Sequence, residues 1–179
     1  MKKDLPNLLT YSRIAAVPAL IAAFYVDGIW SYWAAAAIFL YASITDYFDG
    51  YLARAWQAQS NLGRMLDPIA DKLLVATALM LLVSRQEAHV LPAIAILCRE
   101  VLVSGLREFL AELKISVPVS SLAKFKTAAQ MLAIGLLLWG KAAPEFLQVE
   151  TLGNALLWAA AILTLVTGYA YLREGIRHV

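Results

Sequence analysis

Charged residues make up only 16% of this 179-residue sequence, and cysteine occurs once. A water-soluble domain is about half apolar and about a quarter charged. Here apolar residues reach 61% and the mean hydropathy is +0.68, which excludes an ordinary soluble globule and places the chain in a bilayer. The lone Cys98 lies in an apolar segment with no intramolecular partner, so a disulfide framework and a metal site built on several cysteines are both excluded. His89 and His178 have no neighbours in sequence that would make a site with it. A net charge of +2 is too small to indicate a nucleic-acid partner. No strong internal repeat and no low-complexity tract is present.

Six apolar runs remain. Residues 8–26, 90–110 and 152–171 are long, whereas 29–45, 73–83 and 128–139 are short. A bilayer core of about 30 Å takes about 20 helical residues, so the chain holds at most about six spans and forms one domain, residues 1–179. The first run follows Lys2 and Lys3 like a secretory leader. Arg13 interrupts it and no small-residue cleavage site follows, so it is expected to stay as the first helix. A run of a dozen residues covers only about 18 Å. To cross, each short run must include its polar neighbours: residues 46–54 for the second helix, 60–72 for the third and 120–127 for the fifth. Lipid cannot solvate these extensions, so they are expected to face one another around a hydrated cavity on one side. Lys2, Lys3, Arg13, Arg54, Arg64, Lys114, Lys124, Lys126, Arg173 and Arg177 fall on that side, against Arg85 and Lys141 opposite. The expected fold is therefore an all-α integral membrane protein of about six transmembrane helices, with both termini and the polar cavity facing the cytoplasm. Tyr25, Trp30, Tyr32 and Trp33 read as an aromatic belt at the outer interface.

The polar extensions carry the chemistry. Residues 45–72 read TDYFDGYLARAWQAQSNLGRMLDPIADK, with Asp46, Asp49, Gly50, Ala53, Arg54, Gly63, Asp67 and Asp71 spaced D-x2-D-G-x2-A-R-x8-G-x3-D-x3-D. On a helix Asp46, Asp49, Gly50 and Ala53 share one face, and Gly63, Asp67 and Asp71 share a face of the next. Ser60 is a plausible N-cap for that second helix. Two antiparallel helices then bring four carboxylates together. Hard divalent cations with oxygen ligands, one or two Mg²⁺ or Mn²⁺, are the natural neutraliser. Gly50 and Gly63 leave room for a flat nucleotide to approach the backbone. The competing reading is a structural ion network with Arg54, Arg64 and Lys72, which would not require the small residues at these offsets.

This spacing resembles the defining motif of the CDP-alcohol phosphotransferases, without a departure. The resemblance implies transfer of a phosphatidyl group from a CDP-lipid to an alcohol with release of CMP, by a homodimer in a bacterial cytoplasmic (inner) membrane. It implies Asp46, Asp49 and Asp67 as metal ligands, with Asp71 near the metals and acting as general base. Gly50, Ala53, Arg54 and Gly63 would lie around the CDP. Nothing in the residues alone separates Asp71 from Asp67 as base.

A second block, CREVLVSGLREFLAEL followed by VSSLAKFKTAAQM, resembles the branch of the family that joins CDP-diacylglycerol to glycerol 3-phosphate. Arg99 and Arg107 are eight apart and point into the same half of a helix. With Lys124 and Lys126 they form a cationic group suited to an acceptor that bears a phosphate. Sister enzymes making phosphatidylinositol phosphate, phosphatidylserine or cardiolipin share the chemistry, but the basic quartet favours a phosphorylated acceptor over serine or free inositol and the resemblance of the second block favours glycerol 3-phosphate over inositol phosphate. An ion-coupled transporter would place its carboxylates near the midplane of repeated halves. The bland alternatives are pairing of the arginines with Glu100, Glu108 or the Asp cluster, and contact of the lysines with anionic lipid. The NLLTYSR segment sets Asn7, Thr10 and Arg13 along one face. There they would line the CDP-lipid pocket or serve as a helix cap and headgroup contact.

Overall fold

The computed structural model describes residues 5–56, 61–113, 115 and 121–176, and the side chains among these except at 5–8, 47–56, 61–64, 121, 123–124, 174 and 176. Asn7, Asp49, Gly50, Ala53, Arg54, Gly63 and Lys124 are therefore placed, at most, by their backbone. The described chain is six α-helices: α1 Leu5–Phe24, α2 Trp30–Trp56, α3 Asn61–Ser84, α4 Val90–Glu112, α5 Ser121–Trp139 and α6 Val149–Ile176. Two short 3-10 turns, Gly140–Ala142 and Glu145–Leu147, join α5 to α6.

The three short apolar runs do continue through their polar neighbours. α2 runs 27 residues and α3 runs 24, which extends them to about 40 and 36 Å. α5 starts at Ser121 and covers its expected polar extension within the described residues. Among the described residues one stretch, Glu145–Arg173, is both long and apolar enough to cross a membrane, with mean hydropathy 1.7.

α1 packs on α2 and α3, α2 on α5, α5 on α6, α6 on α4, and α4 on α3, with α3 also touching α5. The helices thus close a ring in the order α1, α2, α5, α6, α4, α3. Its interior is built of small and medium side chains, among them Leu20, Phe39, Ala42, Ala78, Leu79, Ile96, Ala133, Ile134, Leu157 and Ala160. Close crossings need glycine at α6. A Cβ at Gly153 would stand 2.8 Å from Leu137 Cγ of α5, and one at Gly175 2.8 Å from Leu106 Cδ2 of α4.

The radial polarity is inverted relative to a soluble protein. Each helix turns bulky apolar side chains outward: Ile21, Leu40, Met80, Ile94, Leu132 and Ile162 are all exposed. Meanwhile Arg13, Lys126, Gln130 and Thr164 are buried inside.

The end of the bundle away from the carboxylate motif is tied by side chains. Arg85 donates to the Phe24 carbonyl and to Ser31 Oγ (2.8 Å), with its guanidinium 4.0 Å from the Phe24 ring centroid. Tyr32 donates to Glu87, whose backbone carbonyl accepts from Asn154 Nδ2 at 3.1 Å. Tyr32 is thus part of this network, whereas Tyr25, Trp30 and Trp33 are exposed as expected of a belt.

Candidate functional site

An arginine inside an apolar helix must find a counter-charge. Arg13 on α1 finds it on both of the helices that α1 packs against. Its Nη1 lies 2.8 Å from Asp46 Oδ1 of α2 and 3.9 Å from Asp67 Oδ1 of α3. Thr10, one turn earlier on α1, donates its hydroxyl to the same Asp67 oxygen at 2.6 Å. Arg13 and Thr10 are each 1% exposed, while Asp46 and Asp67 are half-buried and open on one side. Asp71 follows Asp67 by one turn on α3 and is likewise only partly exposed. Neighbouring Lys72 donates to Ser104 of α4, which makes it a tie between α3 and α4.

The two carboxylate oxygens that reach a single arginine nitrogen form a convergent, hard-oxygen donor pair. Such a pair is suited to a divalent cation such as Mg²⁺ or Mn²⁺. Among the described residues no group of three metal-ligating side chains stands together. Asp49, the member that lies one turn from Asp46, has its side chain outside the described residues.

A second polar cluster is built by α4, α5 and α6. Arg99 Nη1 donates to Glu100 Oε1 at 3.0 Å, and Lys126 Nζ of α5 donates to the same oxygen. The side chains are 13%, 23% and 3% exposed for Arg99, Glu100 and Lys126. Arg99 lies flat on α6 at Gly168, where a Cβ would come 2.9 Å from Arg99 Cγ. Because Cγ sits near the root of that side chain, it cannot swing aside cheaply. Gly168→Ala, which elsewhere would favour a helix, is expected here to lower stability by about 1–3 kcal/mol, read as a fall in the thermal midpoint. A rise would show that Arg99 yields freely.

Arg107 is not in this cluster. It is exposed, with its guanidinium 5.9 Å from the Tyr171 ring of α6. Both arginines do lean toward α6, as their spacing requires, but only Arg99 shares Glu100 with Lys126. Lys124, Asn7, Gly50, Ala53, Arg54 and Gly63 have no described side-chain geometry.

The sequence reading sets Arg13 with Asn7 and Thr10 on a pocket-lining or headgroup face but misses its pairing with two carboxylates, and Glu100 and Gly168 escape it as functional groups. Arg13 organises two carboxylates, and the signal for it was an arginine with no local partner in an apolar run. Glu100 stood there only as a partner for the arginines. Gly168 had no sequence signal, since a small residue in an alanine-rich helix says nothing of what crosses it.

Residues 3–166 match the family described as CDP-alcohol phosphatidyltransferase. The chain is 47% identical over 171 residues to a protein of Rickettsia bellii, covering 96% of this chain and 94% of that one. It is 44% identical over 176 residues to one of Shigella flexneri, covering 96% and 94%. It is 43% identical over 182 residues to one of Pectobacterium atrosepticum, covering 99% and 97%. All three carry the name CDP-diacylglycerol--glycerol-3-phosphate 3-phosphatidyltransferase.

Proposed function

Because the chain belongs to the CDP-alcohol phosphatidyltransferase family, we propose that it transfers the phosphatidyl group of CDP-diacylglycerol to glycerol 3-phosphate, giving phosphatidylglycerophosphate and CMP. The observation that carries this reading is 43–47% identity, over nearly the full length, to relatives named for that reaction. The site chemistry supports it from two sides: an open carboxylate group on α2 and α3, and a buried cationic pair on α4 and α5.

Asp46, Asp49, Asp67 and Asp71 would hold one or two Mg²⁺ or Mn²⁺. Bound there, the metal would supply charge neutralisation on the donor diphosphate and on the departing CMP. Arg13 and Thr10 both reach Asp67 Oδ1 and would hold that carboxylate in place for the metal. Asp71 takes the proton from the acceptor hydroxyl as its oxygen bonds to the β-phosphorus. The bond from that phosphorus to the CMP oxygen breaks, and CMP leaves with the electron pair. Asn7, Thr10, Gly50, Ala53, Arg54 and Gly63 would surround the CDP. An apolar groove of about 560 Å³ between α2 and α5, lined by Leu40, Ser43, Met131 and Leu132 among others, starts one turn from Asp46 and suits an acyl chain of the donor.

Arg99 and Lys126, with Arg107 at the rim and Lys124 as the fourth cation, would take the acceptor phosphate. The inverted radial polarity supports a multi-pass membrane protein with helices α1–α6 crossing, and the crowding of Lys and Arg at the carboxylate end supports a site that would open to the cytoplasm of a bacterial inner membrane. Its working unit would be the homodimer the family implies.

The test is CMP release from CDP-diacylglycerol by the purified protein, with glycerol 3-phosphate, glycerol, serine, inositol or inositol phosphate as acceptor. Turnover with glycerol 3-phosphate alone is expected. Turnover with serine or free inositol, and none with glycerol 3-phosphate, overturns the reading. Within the basic group, Lys126→Gln or Arg99→Gln should raise the KM for glycerol 3-phosphate by about ten- to a hundredfold, the loss of one charge-assisted bond. Arg107→Gln, at the exposed rim, should change it by about threefold or less. The KM for CDP-diacylglycerol should hold in all three. Equal effects at 99 and 107 would show that burial does not rank these cations.

A further inference from the structure

Glu100 is a carboxylate in the place where the reading above puts a phosphate. One oxygen, Oε1, accepts from both Arg99 and Lys126. Both cations are nearly withdrawn from solvent, so they have few other partners to turn to. Arg99 Nε, also buried, has no hydrogen-bond partner. A phosphate monoester offers the same oxygen acceptors plus a further one for that Nε. It carries about −1.5 to −2 charge at neutral pH. Arg99, Lys126 and Glu100 together carry +1 before it arrives. With Glu100 kept in contact, the cluster would carry a negative excess in a cleft too dry to disperse it.

We propose that Glu100 is a built-in competitor for the acceptor phosphate, a positioning residue that holds Arg99 and Lys126 apart from solvent and gives them up as the phosphate binds. The proposal rests on the acceptor reading given above and deepens it. It has a consequence for turnover. The product retains the terminal phosphate of the acceptor, so the same two cations hold product as well. A carboxylate poised to retake them weakens acceptor and product alike and speeds release.

The experiment is steady-state kinetics of the full-length protein in nanodiscs, with inorganic phosphate as a second probe. Glu100→Gln keeps the shape and removes the charge. It should lower the KM for glycerol 3-phosphate by about three- to tenfold, the scale of one charge-assisted contact no longer opposed. It should not raise kcat, should leave the KM for CDP-diacylglycerol unchanged, and should make inorganic phosphate a correspondingly stronger competitive inhibitor. A purely structural Glu100 predicts the opposite sign, because two loosened cations bind an anion worse. An unchanged or raised KM for glycerol 3-phosphate therefore overturns the proposal. Should Glu100→Gln not fold, Glu100→Asp keeps the charge but withdraws it by one methylene, and should shift both readouts in the same direction by less. Arg99→Gln and Lys126→Gln separate the two layers. If they leave the acceptor KM untouched, the acceptor reading itself fails. If they raise it while Glu100→Gln also raises it, only the competitor role fails.

Discussion

Asp71→Asn should lower kcat about 10²- to 10⁴-fold, the range lost when a positioned general base is removed, while the KM for either substrate moves little. The amide keeps the volume and can still accept a hydrogen bond, but it cannot take a proton at neutral pH. Asp71 is only partly buried on α3 and the amide matches its shape, so the fold should persist. Asp46→Asn and Asp67→Asn should cost turnover to a similar degree through the metal, and EDTA should abolish activity that Mg²⁺ or Mn²⁺ restores. The measurement is CMP release beside a thermal melt of each variant. Near-normal turnover in EDTA would remove the metal from the reaction. Retained activity in Asp71→Asn would move the base to another residue.

Arg13→Met should destabilise the bundle and do so unequally with and without metal. The guanidinium is 1% exposed, whereas its two carboxylates keep access to water. Removing it should therefore cost about 2 kcal/mol, below the roughly 3–5 kcal/mol of a fully buried pair. A divalent ion bound by Asp46 and Asp67 would neutralise them in the arginine's absence. The drop in thermal midpoint should accordingly be large in EDTA and should shrink as Mg²⁺ is added. Arg13→Lys should recover part of it, since a shorter stem cannot hold both carboxylates as closely. An equal drop at every Mg²⁺ concentration would mean that these carboxylates do not bind the ion.

Much of this arrangement is readable before any coordinates. The D-x2-D-G spacing fixes a face of α2, and the four-residue steps from Gly63 to Asp71 fix a face of α3, because helical periodicity alone dictates both. The need for α2, α3 and α5 to reach through polar residues follows from length against bilayer thickness. What periodicity cannot supply is which helices touch. That Arg13 meets Asp46 and Asp67 depends on α1 lying between α2 and α3, and nothing along α1 marks its neighbours. Arg99 and Arg107 look equivalent by spacing. The packing of α6 separates them, since Gly168 admits the stem of one and Tyr171 only flanks the other. α6 itself carries no motif, yet its glycines set how closely α4 and α5 approach.

The ring order α1, α2, α5, α6, α4, α3 has a meaning for how such a protein is made and how it diversifies. The described carboxylates, Asp46, Asp67 and Asp71, all lie on α2 and α3, in the first half to leave the ribosome, and α1 packs on both of those helices. The cationic cluster is assembled wholly from α4 to α6. The halves meet where α2 touches α5 and where α3 touches α4 and α5, including the bond from Lys72 to Ser104. Folding can thus proceed as two insertions followed by one docking event. On the reading proposed above, the carboxylates that would serve the donor diphosphate and the cations that would take the acceptor phosphate lie on separate stretches of chain. A change of acceptor alcohol would then be expected to map to the second stretch, with the first, which would do the bond-breaking, left untouched.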